Sequence, residues 1–77
     1  MGMEADRRRG SDRKIREAGA ARDELRTALA GVGVVLPSLG IDLPSVTSDC
    51  LPPLVELGRC RTDVARQLAS VLRKSTP

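Results

Sequence analysis

The sequence predicts a small α+β domain in which two helices flank a short antiparallel β-hairpin. Apolar residues recur at helical spacing over residues 15–32 and again over residues 62–74. Two short apolar runs lie between these segments and are bounded by proline and glycine, which is typical of strands. A chain of 77 residues suffices for one small domain. We expect residues 11–77 to form it, behind a disordered, flexible basic arm at residues 1–10.

The N-terminal helix is predicted from a single apolar face. Ser11 or Asp12 is suited to begin it, because a side-chain oxygen can accept hydrogen bonds from the first-turn amides. Gly31 and Gly33 supply a C-terminal stop. The apolar positions of this helix are Ile15, Ala18, Leu25, Ala28, Leu29 and Val32.

The hairpin is predicted from two short segments, one of alternating apolar and small or polar residues and one that is mostly apolar. Residues 39–43 alternate apolar with small or polar side chains, so that their three apolar side chains would share one face of a strand that Pro44 ends. Residues 54–57 form the second strand, which Gly58 closes. The intervening residues 45–53 are rich in Ser, Thr, Asp and Pro and indicate an exposed loop.

The C-terminal helix is the clearest element of the pattern, and we expect it at residues 62–74. Thr62 is a good N-cap, and Asp63 complements the positive end of the helix. Arg73 and Lys74 lie in the last turn, where cations are favourable. One face is apolar and is formed by Val64, Ala65, Leu68, Val71 and Leu72. Both helices are expected to lay their apolar faces on the hairpin.

The composition argues against catalysis. The chain has no His, Trp, Tyr or Phe, so it lacks the usual general base, the commonest metal ligand and every base-stacking side chain. Its serines have no histidine partner, and its carboxylates are scattered among arginines. We therefore expect no enzyme activity, catalytic residue, metal, cofactor or small-molecule substrate. No long apolar run or secretory signal is visible, so we expect no membrane association and a cytoplasmic setting.

Basic residues near the N-terminus suggest nucleic-acid binding as an alternative function. The net charge is +3, and the cations concentrate at the two ends of the chain. Such a cluster would bind phosphates in a salt-dependent manner. Interleaved acids dilute its potential, and we favour a solubilising arm as the explanation of the cluster. The residues of this hypothesis are Arg7, Arg8, Arg9, Arg13 and Lys14.

Cys50 and Cys60 are the only two cysteines. Two thiols without histidine cannot supply four zinc ligands within one chain. Cys60 stands between Arg59 and Arg61 just before a helix start, which favours a reactive thiolate. It is therefore a candidate reactive thiol, with a small half-buried hydrophobic residue as the alternative.

Protein–protein interaction is the function that the helices favour. Without aromatic residues, a chain of this length has little means of covering its own apolar faces. We expect those faces to bind another protein or a second copy of the chain, the alternative being that the chain's own core uses them. The predicted partner-binding residues are Leu25, Leu29, Leu68, Val71 and Leu72, with Arg66 and Arg73 at the rim.

Three stretches carry a resemblance to known sequences. They are residues 28–33, the run LPSLGID at 36–42, and the run PLVELGRC at 53–60 with the Ala/Leu/Arg helix that follows. Over about residues 20–74 the chain resembles a group of short uncharacterised actinobacterial proteins. The resemblance implies a cytoplasmic bacterial setting and an accessory or regulatory role, and it brings no catalytic residue.

Overall fold

The chain folds as the α+β unit that the sequence predicts. The structure is a computed structural model that describes the backbone of residues 2–75 and the side chains of residues 10–75. Its two strands form one antiparallel hairpin, and a short helix that the sequence analysis missed lies between them. The elements in chain order are α1 (Gly2–Gly31), β1 (Gly40–Ile41), α2 (Leu43–Thr47), β2 (Val55–Glu56) and α3 (Thr62–Lys74).

The first helix, α1, is longer than expected. It begins at Gly2, so the predicted start at Ser11 or Asp12 is wrong, and residues 2–10 of the expected disordered arm are helical. Their sequence explains this, because Met, Ala, Arg and Glu are strong helix formers and the acids Glu4 and Asp6 complement the positive helix end. Met1 and the side chains of residues 2–9 lie outside the described part of the chain.

The C-terminal end of α1 is a Schellman turn. The Gly33 amide donates to the Ala30 carbonyl over 3.1 Å, and the Val34 amide donates to the Leu29 carbonyl over 2.9 Å. Gly33 takes a φ of 76°, a left-handed conformation that glycine adopts without steric cost. The turn places Val34 against Leu29, so the helix end and the first core contact are formed together. The predicted glycine stop is confirmed.

The hairpin has a defined register but shorter strands than expected. Gly40 pairs with Glu56, and Ile41 pairs with Val55. The Asp42 amide adds a further hydrogen bond to the Leu54 carbonyl over 3.0 Å. Leu43 does not continue the strand face as predicted, since it begins α2 and its side chain is 65% exposed.

The helix α2 corrects the expectation of an exposed loop at residues 45–53 over residues 45–47, whereas residues 48–53 form a connection without helix or strand. Asp42 caps it, and its carboxylate accepts from the Ser45 amide over 3.2 Å. Pro44 lies in the first turn, where its missing N–H costs nothing, rather than simply ending a strand. Ser45 and Val46 of this helix are buried. The signal was present in the sequence as an Asp two residues before a Pro.

Replacing Ser45 by Ala should destabilise the fold by about 1–3 kcal/mol. The Ser45 hydroxyl is buried, donates to the Asp42 carbonyl over 2.6 Å and accepts from the Leu54 amide over 2.9 Å. Without it, the Leu54 amide and the Asp42 carbonyl each lose the hydrogen bond that the buried hydroxyl makes. Chemical denaturation followed by circular dichroism measures the loss. Ser70→Ala, at an exposed position of α3, is the control and should be neutral or slightly stabilising. Equal effects of the two substitutions on the free energy of unfolding would contradict the role of Ser45.

The core is small and lies at the C-terminal end of α1. Leu29, Val34 and Leu39 form its buried centre. Half-buried side chains from α1, the turn after it, β2 and α3 pack around this centre: Leu25, Leu36, Val55, Val64 and Leu68. Ala18 of α1 and Val46 of α2 are also buried, and these two helices lie against one another. Five buried apolar side chains in residues 10–75 leave the fold dependent on few contacts.

The last helix, α3, has the predicted bounds but a different beginning. Thr62 is its first helical residue rather than its N-cap, so the predicted cap is wrong. Arg61 occupies the cap position in an extended conformation, and no side chain caps the helix there. The Arg61 carbonyl accepts from the Ala65 amide over 3.0 Å, and its guanidinium lies 3.2 Å from the Asp63 carboxylate. This exposed ion pair joins the two side chains but offers the first-turn amides no acceptor, so it does not replace a hydroxyl cap.

The molecule is elongated. Its principal extents are 52 × 24 × 18 Å and its radius of gyration is 15.8 Å, against about 11.5 Å for a compact chain of this length. Its accessible surface is 6220 Å², whereas a compact monomer of this mass exposes about 4,500 Å². The excess of about 1,700 Å² is surface that folding of this chain alone leaves in water.

Candidate interaction surface

The helix α3 is held to the rest of the chain along one side. Val64 and Leu68 pack against the core formed by Leu29, Val34 and Leu39. The Gln67 amide nitrogen donates to the Gly33 carbonyl over 3.0 Å, which ties α3 to the turn after α1. No side chain of α3 is buried, although the helix is strongly amphipathic. The expected docking of this face on the hairpin is wrong for α3, since none of its Cα atoms lies within 8 Å of either strand and its packing is on the core instead.

The other margin of the apolar face is open to solvent. Leu72 is 59% exposed, and Ala65 is exposed beside it on the helical wheel. Arg66 and Arg73 each come one residue after Ala65 and Leu72, so both lie on the same neighbouring side of the helix, and both are exposed. We call Ala65, Arg66, Leu72 and Arg73 the α3 edge. An apolar stripe with guanidinium groups on its rim is the composition found in protein interfaces.

The structure separates the residues predicted to bind a partner into two groups. Leu29 is buried in the chain's own core, and Leu25 and Leu68 pack against it. Val71 is half-buried, whereas Leu72 presents most of its side chain to solvent. Of the five apolar residues, Leu72 therefore has the largest surface left for a partner, together with the rim arginines.

Sequence reasoning missed a second exposed apolar area, on the connection between the strands. Leu43, Leu51 and Leu54 are 65%, 46% and 44% exposed. Asp49 in the same connection and Glu56 on β2 are exposed acids, and residues 31–58 contain no basic residue. We call Leu43, Asp49, Leu51, Leu54 and Glu56 the hairpin patch. The signal in the sequence was this run without a cation, although Lys14 of α1 places its ammonium group against the same connection in the structure.

Lys14 has a structural role that bears on the nucleic-acid hypothesis. Its ammonium group donates to the carbonyl of Ser48, and to that of Leu51 over 2.7 Å, tying α1 to the connection between the strands. Arg13 is exposed, and the side chains of Arg7, Arg8 and Arg9 lie outside the described part. Among the described cations of this cluster, Arg13 is thus the one available to a phosphate, and nucleic-acid binding stays a prediction.

Both cysteines are free thiols on the surface. Cys60 is exposed immediately before α3, and Cys50 is exposed in the connection between the strands. Neither is the half-buried hydrophobic residue considered as an alternative. Reactivity of Cys60 stays a prediction.

A shallow groove runs between α1 and β2 and has a volume of about 230 Å³. Its lining residues are Glu17, Ala18, Ala21, Pro53 and Val55. Sites for small molecules generally enclose about 300–1,000 Å³ and place several polar groups around the ligand. This groove is smaller and has one ionisable side chain, so it does not resemble such a site.

The described residues contain no group of three or more Cys, Asp or Glu side chains placed to hold a metal ion. None of the helices, as far as they are described, has the length and apolar character needed to cross a membrane. Comparison of the chain with protein-family models, with curated proteins and with solved structures finds no match.

Proposed function

We propose that this chain is a small accessory protein that acts by binding another protein chain, with the α3 edge as the centre of the interface. The observation that carries the proposal is that no side chain of the amphipathic helix α3 is buried, so that Leu72 stays 59% exposed beside the exposed Arg66 and Arg73. A specific protein–protein interface buries about 800 Å² on each partner. The α3 edge would contribute part of such an area.

The α3 edge is the part of that surface best suited to specific recognition. A helix attached along one side presents its remaining apolar margin to a groove or to a second helix. Leu72 supplies an apolar anchor, and Arg66 and Arg73 can each form paired hydrogen bonds to carboxylates. Among the described residues, neither arginine forms an ion pair within the chain. The composition favours a partner surface that is apolar and acidic.

A photo-crosslinking experiment tests this proposal. A benzophenone side chain placed at Leu72 should give covalent adducts with a protein partner in cells, several-fold more than the same group at Thr27. Thr27 is a matched control because it is exposed and lies on the side of α1 opposite the buried Ala18. Adducts with the chain itself count as binding. Equal yields at the two positions, or no adduct at Leu72, would overturn the proposal.

The proposed setting is the bacterial cytoplasm, with a regulatory rather than a catalytic role. Exposed free thiols at Cys50 and Cys60 suit a reducing compartment. The nucleic-acid alternative differs in its response to salt, because phosphate binding weakens steeply as salt rises and apolar docking does not. A test of it should replace Arg7, Arg8 and Arg9 by Gln rather than delete residues 1–14, since deletion would also remove the contacts of Lys14.

A further inference from the structure

The helix α3 is attached to the rest of the chain by few contacts. Within the described part of the chain, no Cα atom of α3 lies within 8 Å of another helix or strand. None of its side chains is buried, and the two that pack against the core, Val64 and Leu68, stay half-buried. Few buried contacts and low local packing are the features of segments that open while the rest of a protein stays folded.

A single polar contact ties a side chain of α3 to the body of the chain. The Gln67 amide nitrogen donates to the Gly33 carbonyl over 3.0 Å, and this hydrogen bond is exposed. Among the described residues, no other side chain of α3 forms a hydrogen bond or ion pair outside residues 61–75. Because water solvates both groups when the bond breaks, it holds α3 only weakly.

The remainder of the fold has contacts of its own. The helix α1 packs against α2 and against both strands. The Arg26 guanidinium donates to the Leu39 carbonyl over 3.1 Å, and the buried Ser45 hydroxyl joins the Asp42 carbonyl to the Leu54 amide. None of these contacts involves α3, so this body can stay folded when α3 leaves it.

The segment between β2 and α3 is suited to act as a hinge. Gly58 approaches Ser38 so closely that a Cβ atom at Gly58 would lie 3.0 Å from the Ser38 carbonyl oxygen, which fixes the chain up to that point. Arg59 and Cys60 are exposed and lie in neither helix nor strand, and Arg61 is extended before the first turn of α3. A change in the dihedral angles of these three residues would move α3 as a unit.

Resting on the proposed function, we propose that α3 detaches from the core by a rotation at residues 59–61 and that the partner binds the released helix in an apolar groove. Residues 59–77 carry five basic residues and one acid, so the groove has an acidic rim. An isolated helix of 13 residues is marginal in water, so binding also restores its order. Release unites the packed and the exposed apolar side chains in one stripe at positions i, i+4, i+7 and i+8, which are Val64, Leu68, Val71 and Leu72.

Amide hydrogen exchange of the full chain, followed by NMR and corrected for intrinsic rates, tests the release. Amides at residues 67–71 should exchange at least about tenfold faster than those at residues 18–25 of α1. Gln67→Met removes the donor and keeps the helix propensity, so exchange in α3 should become about twofold to tenfold faster. Arg66→Met is the matched control, because it places the same side chain at the next position without removing a described hydrogen bond, and it should not speed exchange.

The Ser45→Ala variant separates release of α3 from unfolding of the whole chain. Ser45 keeps its contacts in the docked and in the released state, so its loss should speed exchange in α1 by about fivefold or more and leave exchange in α3 unchanged. If α3 opened only together with the body, its amides would exchange as slowly as those of α1 and would respond equally to Ser45→Ala. Either result would overturn the release.

The benzophenone at Leu72 tests whether the partner binds the released helix. Apparent affinity for a released state scales with the fraction of molecules in that state. Adding Gln67→Met should therefore raise the adduct yield by about the factor by which it speeds exchange in α3. An unchanged or lower yield would overturn binding of the released helix and leave the proposed function standing. Absence of adducts in both backgrounds overturns the proposed function, and hydrogen exchange then still decides whether α3 detaches.

Discussion

We expect most molecules of a Gly58→Ala variant to be unfolded. Gly58 has a φ of 74°, and a Cβ atom there would lie 3.0 Å from the Ser38 carbonyl oxygen, 3.1 Å from its carbonyl carbon and in severe overlap with its Cβ. The left-handed conformation costs about 1–2 kcal/mol for a residue with a side chain, and the overlap adds about 1–3 kcal/mol. Small domains have about 3–5 kcal/mol in total. Thermal and chemical denaturation measure the loss.

The control for this substitution is Gly10→Ala, the same chemical change in the middle of α1. A Cβ atom at Gly10 meets nothing within 4 Å, and alanine stabilises a helix interior by about 0.5–1 kcal/mol relative to glycine. The two changes should therefore have opposite signs. A Gly58→Ala protein with the stability of the original chain would show that residues 38 and 58 do not approach one another.

Leu29→Ala should destabilise the fold by about 2–5 kcal/mol, because it leaves a cavity at the centre of the core. Leu29 is 6% exposed and contacts the core from the last turn of α1. The same residue was predicted from the sequence to bind a partner. A loss of folding measured by urea denaturation at low protein concentration assigns Leu29 to the chain's own core.

Val35→Ala is the matched control, since Val35 is 70% exposed and lies one residue beyond the buried Val34. Its effect on the free energy of unfolding should stay within about 0.5 kcal/mol. If Leu29→Ala were equally mild while it weakened binding of a partner, Leu29 would be an interface residue and the core described above would be wrong.

The pattern of apolar residues was sufficient to predict the fold class and the bounds of α3. Helical spacing is a strong signal where it is regular, as in residues 62–74, and the hairpin followed from two short apolar runs closed by proline and glycine. The start of α1 was harder to predict from the sequence, because its first turns carry no apolar stripe and depend on helix propensity alone. The helix α2 was missed because Pro44 was interpreted only as the end of a strand.

The candidate site was predicted in part. Periodicity identifies the apolar face of α3 but cannot say which margin the core covers, so Leu68 and Leu72 were equivalent in the sequence and differ in the structure. The tie between Lys14 and the carbonyls of Ser48 and Leu51 joins residues more than thirty positions apart. No local pattern carries that information, and the close approach of Gly58 to Ser38 is equally non-local.

The length of α1 has a hydrodynamic consequence. A particle more than twice as long as it is wide diffuses more slowly than a sphere of equal mass, so this chain, with extents of 52 × 24 × 18 Å, should elute early from a sizing column even as one copy. Its tumbling is also anisotropic. The N–H bonds of α1 lie nearly parallel to the long axis, so their NMR relaxation reports mainly the slow end-over-end rotation. An elution volume therefore reports shape together with stoichiometry, and counting the copies requires a measurement of mass.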